Sequence, residues 1–407
     1  MGSLVKIRLS TMMFLEYAIW GSWYVTLTTY LTSQLNFTAT EAGAAFGTTA
    51  VAAIVSPFFV GLVADRFFST ERVMAVLYTI GAACMIALMY VTSFAAVYSL
   101  LLLFCLCFFP TIALTNSITM QQFADPGRDF PFIRMVGTLG WIAINLVVGY
   151  MAIERTSTPF LIAAILSGTM AIYSLVALPH TPPRGAGQRV SARTILGLDA
   201  LAMMKDRSFL IFVIASVLAC IPLTFYYSFT NTYLNEVGVV NAAGKMSLGQ
   251  MTEVGMMLLM PVVFRLWSVR NILLIGLAAW AIRYVLLAAG DPGSGMWMFY
   301  VAIVLHGICY DFFFVSGQLY TDQEAPAHLR STAQGFITLV TYGVGMLIGS
   351  YLSGIALDAF TTTENGVPVR DWHSFWMSSA AMAATILVLV AVFFRSHRKI
   401  GQAQGRA

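Results

Sequence analysis

The chain has 407 residues, of which 59% are hydrophobic and 10% are charged, and its mean hydropathy is +0.80. Soluble globular domains carry about 25% charged residues, so this composition excludes a soluble domain and indicates a protein embedded in a lipid bilayer. The net charge of +4 would hint at a nucleic-acid partner in a soluble protein. Here the basic residues are sorted by side of the membrane instead, and no nucleic-acid partner is expected.

Hydrophobic runs long enough to cross a membrane recur along the whole chain. Each covers roughly the 20 residues that a helix needs to span the hydrocarbon layer, and the alternating pattern of a membrane barrel is absent. The first run lacks the cleavage pattern of a signal peptide, so it is interpreted as a retained helix. The sequence predicts an all-α integral membrane protein with twelve transmembrane helices, which begin near Leu9, Glu41, Arg72, Phe94, Pro131, Pro159, Phe209, Met246, Val269, Met296, Ser331 and Trp372.

The basic residues between these runs predict the orientation of the chain. They cluster at both termini and in the even-numbered connections, whereas the odd-numbered connections contain only Arg155, Lys245 and Arg370. Loops rich in lysine and arginine stay on the cytoplasmic side of a membrane. Both termini are therefore expected in the cytoplasm.

The longest connection divides the chain into two halves. It begins with PHTPPRGAG from Pro179, a proline- and glycine-rich stretch typical of a linker. A weak internal repeat agrees with this boundary, because YVTLTTYL from Tyr24 is similar to YSFTNTYL from Tyr227. We predict two six-helix bundles, residues 1–180 and 209–407, which are joined by a cytoplasmic loop over 181–208 and enclose one central site.

Motifs of enzymes and metal proteins are absent from the sequence. The 5 cysteines all fall inside hydrophobic runs, with no CxxC pair and no cluster with histidine, so neither disulfides nor a metal site is expected. There is no HExxH motif, no serine–histidine pairing and no Walker-type glycine loop. We therefore expect neither an enzyme nor ATP-driven transport, and no cofactor.

Charged side chains inside the hydrophobic runs are the first candidates for function. Each costs about 2.5 to 3.5 kcal/mol near the centre of the bilayer, so it is expected to face a cavity or a partner. Structural ion pairing, of Glu253 with Arg283 or of Arg134 with Asp311, is the alternative explanation. The charged residues within the runs are Glu16, Arg134, Glu253, Arg283 and Asp311.

Helical spacing places polar and aromatic residues on shared faces. Such faces suit a ligand with a heteroaromatic base and a polyhydroxyl sugar, because rings stack on the base while polar side chains exchange hydrogen bonds with it. Ordinary packing between helices is the alternative. The candidate substrate-binding residues are Arg134, Thr138 and Trp141 on the fifth run, Thr224, Tyr227 and Asn231 on the seventh, Gln250 and Glu253 on the eighth, and His306 and Tyr310 on the tenth.

Three of these intramembrane residues are carboxylates that offer a means of proton coupling. A carboxylate that is removed from water favours its neutral form, so it can exchange a proton at physiological pH. Glu253 is the first candidate, since it is predicted at mid-depth in the membrane. Asp311 is the second, because a gate pairing with Arg134 is an equal possibility for it, and Glu16 is the third.

Several segments resemble a known family. Gly61, Asp65 and Arg66 in GLVADRFF resemble the cytoplasmic-loop motif of the major facilitator superfamily, although its second glycine and basic pair are missing. The segments FLEYAIWGSW, RDFPFIRMVGTLGW, SLGQMTE and HGICYDFFFVSG resemble the bacterial nucleoside–proton symporter family, in particular the branch named for nucleoside transport. The resemblance implies a monomeric inner-membrane transporter that moves nucleosides with protons by alternating access.

The resemblance also assigns roles to individual positions. Substrate-contacting residues of the family match Arg134, Thr138, Trp141, Gln250 and Glu253, and an aspartate of its tenth helix matches Asp311. The chain departs from the family elsewhere. Thr224 and Tyr227 stand where members have amides, and His306 and Tyr310 replace a tyrosine and a phenylalanine. These departures concern which substrate is bound more than its class.

Two other functions fit the sequence. A sugar or polyol symporter of the same fold is one, because glutamine, glutamate, asparagine and tryptophan also make a good sugar site. A membrane sensor that transports nothing is the other. A sensor needs a signalling domain, and the tail RSHRKIGQAQGRA is too short for one.

Overall fold

The computed structural model describes residues 3–59, 68–123, 126–182 and 197–396. The predicted motif residues Gly61, Asp65 and Arg66 and half of the predicted 181–208 loop, residues 183–196, lie outside these ranges. The chain packs as two compact units. Unit 1 comprises Met1–Ser191 with Val240–Ser247, and unit 2 comprises Ala192–Val239 with Leu248–Ala407.

Unit 1 is helical throughout its described part. Its second predicted run is divided at Gly47 into two short helices. The first of these begins at a capping box, in which Thr38 and Glu41 satisfy each other's backbone N–H groups. The helices are α1 (Ser3–Tyr24), α2 (Leu27–Ser33), α3 (Ala39–Phe46), α4 (Thr48–Phe59), α5 (Thr70–Leu88), α6 (Phe94–Gln121), α7 (Pro126–Tyr150) and α8 (Thr158–Val176).

Helices α1 and α7 approach each other closely, and this contact positions the candidate residues of unit 1. Two glycines of α7 make the approach possible. A Cβ atom at Gly137 would lie 2.6 Å from the Tyr17 ring, and one at Gly140 would overlap the Phe14 carbonyl. Small residues let membrane helices pack backbone to backbone. The α7 face with Arg134 and Trp141 is therefore held against α1.

Unit 2 begins with the 3-10 helix Leu198–Lys205 and also contains the 3-10 helix Ala327–Leu329. Side chains cap three of its long helices, because Asp206, Ser268 and Asp371 each accept a hydrogen bond from a first-turn N–H. The helices are α9 (Arg207–Glu236), α10 (Ala242–Leu266), α11 (Val269–Ala289), α12 (Met296–Val304), α13 (His306–Tyr310), α14 (Ser316–Glu324), α15 (Arg330–Thr338), α16 (Met346–Ala359) and α17 (Trp372–Phe393). The first turn of α10 packs in unit 1, where Glu154 Oε1 accepts a hydrogen bond from the Ala243 N–H at 2.9 Å.

The tenth and eleventh predicted helices are not continuous α-helices. Wider π-helical turns interrupt them at Asp311–Val315 and Leu339–Gly345. A π turn adds one residue to the helical turn and is frequent at functional sites. The first π segment begins at Asp311, which is one of the predicted intramembrane carboxylates.

The described part of the chain is all-α in class, and it also contains one short β-hairpin. Strands β1 (Thr361–Glu364) and β2 (Val367–Arg370) form an antiparallel hairpin before α17. Asn365 and Gly366 connect them with φ of 52° and 80°, the positive values that a two-residue hairpin turn requires. The hairpin was not predicted, because it lies in a connection between two long hydrophobic runs.

In the described residues, ten helical stretches are long and apolar enough to cross a membrane. They are α5 to α11, Met296–Glu324, Thr332–Ala359 and α17. The first two predicted runs correspond to α1 and to α3 with α4. Helix α1 carries Lys6, Arg8 and Glu16, α3 has 8 residues, and the described part of α4 ends at Phe59.

Candidate substrate and proton sites

Glu16 lies inside unit 1 and is fully hydrogen-bonded by hydroxyl groups. Its side chain projects from α1 and is 1% exposed. Thr111 Oγ1 of α6 donates to Oε1 at 2.9 Å, and the Tyr78 hydroxyl of α5 donates to Oε2. The sequence analysis missed both partners, because they lie on other helices far away in the chain. Both oxygens of this carboxyl therefore have a partner within the unit.

Arg134 of α7 lies over an aromatic ring of α1. Its guanidinium carbon is 4.0 Å from the centroid of the Tyr17 ring, which is a cation–π contact. Such a contact stabilises a cation without neutralising it. Arg134 therefore remains charged against this ring, while Thr138 lies one turn further along the same helix.

Trp141 belongs to an aromatic cluster in unit 1. Its ring centroid lies 5.4 Å from that of Trp20 and 5.7 Å from that of Tyr24, with edge-to-face geometry. The indole Nε1 atoms of Trp20 and Trp141 are buried and have no hydrogen-bond partner in the described part of the chain. Asn145 donates from Nδ2 to the Trp141 carbonyl at 2.9 Å, and its Oδ1 is buried without a partner there. Flat rings and unused polar atoms thus lie side by side.

His306 is the centre of a polar cluster in unit 2. The imidazole is 0% exposed, and its Nδ1 lies 3.0 Å from Arg283 Nη1. Its Nε2 lies 3.4 Å from the Tyr227 hydroxyl and 3.7 Å from Glu253 Oε2. The ring stacks on Tyr226 at 5.8 Å. His306 therefore stands between Glu253 and Arg283, the two residues for which the sequence suggested a direct ion pair.

Helix α10 reaches this cluster through a glycine. A Cβ atom at Gly307 would lie 2.6 Å from the Thr252 carbonyl carbon and 2.8 Å from the Glu253 nitrogen. The absence of a side chain at 307 lets α13 contact the backbone of α10 directly. Glu253 keeps 24% of its side chain exposed, and Gln250 is half-buried one turn earlier on the same helix. The two residues share a face, as the spacing predicted.

Tyr310 and Asp311 lie at the junction of α13 and the π segment. The Tyr310 ring is 5.7 Å from His306, and its hydroxyl shares a hydrogen bond with that of Tyr342. Asp311 is 0% exposed, and within the described residues its two carboxyl oxygens have no hydrogen-bond partner. An unsatisfied buried carboxyl is costly. Uptake of a proton by Asp311 would remove its charge and lower this free-energy cost.

The other two candidates on α9, Thr224 and Asn231, form hydrogen bonds within their own helix. Thr224 Oγ1 donates to the Cys220 carbonyl at 2.6 Å, so its proton is engaged by its own helix. Asn231 is fully buried, and its Oδ1 accepts a hydrogen bond from Asn235 Nδ2 at 3.2 Å. Among the candidates on α9, Tyr227 contacts the His306 cluster through its hydroxyl and its ring. In the described ranges, no three His, Cys, Asp or Glu side chains are grouped as metal ligands.

Comparisons with known proteins cover nearly the whole chain. The family model described as nucleoside H+ symporter matches residues 3–399. YegT of Escherichia coli is 42% identical over 400 residues, which are 95% of this chain and 93% of YegT. The xanthosine permease of Escherichia coli is 31% identical over 405 residues, or 96% of this chain and 95% of the permease.

A solved structure agrees with this assignment. The crystal structure of the nucleoside transporter NupG superimposes with a TM-score of 0.88 at 30% identity, and the match covers 96% of this chain and 99% of NupG. Both the sequence and the fold thus match over almost the full length. The chain therefore belongs to the nucleoside H+ symporter family, whose members are membrane transporters of the major facilitator fold.

Proposed function

We propose that this protein moves nucleosides together with protons across the inner membrane of a bacterium by alternating access. In this proposal it acts as a monomer with twelve transmembrane helices, in bundles 1–180 and 209–407, and both termini are cytoplasmic. Helix α1 and the pair α3 and α4 supply the two spans beyond the ten apolar ones. The sorting of basic residues between the runs supports the orientation.

The observation that carries the proposal is the cluster around Glu253 in unit 2. A partly exposed carboxyl lies 3.7 Å from a buried imidazole, and the rings of Tyr226, Tyr227 and Tyr310 pack around that imidazole. A proton-binding group and ring surfaces for a base are thus combined within one unit. A purely structural ion pair would need no exposed oxygen, whereas a group that binds both ligand and proton must reach water in one state.

In this proposal, each unit carries its own set of candidate substrate contacts. Trp141 offers a ring face and an unused indole N–H, and Arg134 offers guanidinium donors to ring or hydroxyl oxygens. Gln250 and Glu253 bind base edges or ribose hydroxyls, and Tyr227 and Tyr310 shape the site around His306. The further assigned contacts are Thr138, Thr224 and Asn231.

The proton is assigned first to Glu253, with Asp311 second and Glu16 third. Glu253 is near both the imidazole and solvent, so its protonation and its contact with substrate are easily linked. Asp311 has no hydrogen-bond partner in the described residues, which favours a neutral carboxyl there. Glu16 already accepts two hydroxyl hydrogen bonds and has the least need of a proton.

Uptake into proteoliposomes tests the proposal directly. Radiolabelled nucleosides and hexoses are offered to the purified full chain with and without an inward proton gradient. We expect nucleosides to accumulate above the external concentration only when the gradient is present. Accumulation of hexoses instead would establish the sugar symporter, and nucleoside entry that only equilibrates would show a facilitative carrier.

A further inference from the structure

The contact between Arg283 and His306 determines where the imidazole carries its proton. A guanidinium has only donors and stays charged in proteins. Arg283 Nη1 lies 3.0 Å from His306 Nδ1, so Nδ1 must be the acceptor of this hydrogen bond. A neutral imidazole has one protonated nitrogen, and that nitrogen is then Nε2.

The other side of the ring is consistent with this assignment. Nε2 lies 3.4 Å from the Tyr227 hydroxyl and 3.7 Å from Glu253 Oε2, and both oxygens are able to accept a hydrogen bond. The Nε2–H group therefore faces the Tyr227 hydroxyl and the carboxyl of Glu253. The imidazole separates the guanidinium from the carboxyl instead of allowing a direct ion pair.

A second proton on His306 would be strongly opposed in this arrangement. It would place an N–H on Nδ1 against an N–H of Arg283, and two like charges would stand about 3 Å apart between side chains that are fully buried. Arg283 itself is held in place, because its guanidinium carbon lies 3.4 Å above the Tyr226 ring and gains a cation–π contact there. The titratable or charged groups that face His306 are Arg283 from α11, Tyr226 and Tyr227 from α9, Glu253 from α10 and Tyr310 from α13.

We infer that Arg283 is a positioning residue that holds His306 as the neutral tautomer protonated on Nε2, so that a carboxyl of this cluster, and not the imidazole, takes up the transported proton. Histidine is otherwise the side chain best suited to exchange protons near neutral pH, and this buried histidine would be an obvious proton carrier from sequence alone. The assignment to a carboxyl rests on the proposed proton symport. The tautomer itself does not.

Solid-state NMR of the full chain in lipid bilayers tests the tautomer. The chain is labelled with ¹⁵N-histidine, and His180, His328, His373 and His397 are replaced by glutamine so that His306 is the sole histidine. We expect one protonated and one unprotonated ring nitrogen, with the proton on Nε2, from about pH 5 to 8. A doubly protonated ring at the low end of this range, or a proton on Nδ1, would overturn the inference.

Two substitutions of Arg283 test whether this residue fixes the tautomer of His306. Arg283→Lys keeps a charged donor, and we expect the same single tautomer. Arg283→Met removes both donor and charge, and we expect a mixture of tautomers and a second proton as the pH falls. An unchanged spectrum in Arg283→Met would refute the positioning role. If that variant does not fold, the spectra of the unmodified arginine and of Arg283→Lys still decide the tautomer.

Transport measurements distinguish a failure of this inference from a failure of the proposed function. His306 lies in the proposed site, so we expect His306→Gln to weaken nucleoside binding. The uptake that remains should still depend on the proton gradient, because the imidazole is not the proton carrier. Loss of accumulation with exchange intact would overturn the inference alone. Absence of any proton-driven nucleoside uptake by the unmutated chain would refute the proposed symport and the assignment of the proton, whatever the NMR shows about the tautomer.

Discussion

The two units bury carboxyl groups in opposite ways. In unit 1, Glu16 is enclosed and both of its oxygens accept hydrogen bonds from hydroxyls. In unit 2, Asp311 is equally enclosed but has no hydrogen-bond partner in the described residues, and Glu253 keeps 24% of its side chain exposed. A satisfied buried group stabilises the fold, whereas an unsatisfied one costs free energy that protonation relieves. The comparison favours a structural role for Glu16 and proton exchange in unit 2.

The largest effect on transport is expected from substitution of Glu253. Glu253→Gln preserves size and hydrogen bonding but removes the exchangeable proton, so nucleosides should equilibrate across the membrane without accumulating. Exchange of internal for external nucleoside should persist at least in part. Accumulation and exchange in proteoliposomes under an imposed pH gradient measure both quantities. Should Glu253→Gln still accumulate substrate while Asp311→Asn does not, the proton belongs to Asp311.

Substrate binding is expected to weaken at Gln250, which shares a helix face with Glu253. Gln250→Ala leaves polar ligand atoms without a partner and should cost about 1 to 3 kcal/mol of binding free energy, roughly 5- to 150-fold in Kd. Isothermal titration calorimetry with a nucleoside measures this loss. Gln121→Ala, at an exposed position near the end of α6, is the matched control and should leave Kd unchanged. Unchanged affinity in both Gln250→Ala and Trp141→Ala would place the binding site elsewhere.

The structural role of Glu16 predicts a loss of stability without a loss of coupling. Tyr78→Phe removes one of the two hydroxyl donors and should cost about 1 to 3 kcal/mol of the free energy of unfolding. Thermal unfolding in detergent should show a lower Tm, while proton-driven accumulation persists. Tyr90→Phe is the control, because Tyr90 is 79% exposed. If Tyr78→Phe keeps its Tm but loses accumulation, the contrast between the units is wrong.

The smallest effect on stability is expected at Asp371. This carboxylate is exposed to water and serves as a reference for the buried ones. Hydrogen bonds from the Ser374 hydroxyl and backbone N–H lower the pKa of Asp371 below its ordinary value of 3.8. A lowered pKa in the folded state stabilises the protein above the ordinary pKa, and the benefit is lost as the pH falls through the folded value. Asp371→Ala removes the cap of α17 and should cost about 1 kcal/mol or less. Denaturation at neutral pH and near pH about 3 should show the difference from the unmutated chain shrinking on acidification.

Much of the fold was predictable because its signals are local. The length and composition of each hydrophobic run can be read directly from the sequence, and they suffice to predict a membrane helix. The interruptions at Asp311 and Leu339 were not predictable, since a π turn has the same composition as the α-helix around it. The hairpin at Asn365 and Gly366 left a local signal, the Asn-Gly pair, but it lies in a connection and not in a run.

The sequence by itself predicted that Glu16, Glu253, Arg283 and Asp311 lie in the membrane, because a charged residue within an apolar run can be recognised from the sequence alone. It also placed Gln250 and Glu253 on one face, since helical spacing fixes that relation. Only the tertiary structure decided which of these charges are satisfied. Tyr78 and Thr111 reach Glu16 from other helices, and His306 separates Arg283 from Glu253. Such contacts depend on how distant helices pack, and the spacing of residues within one helix carries no information about its neighbours.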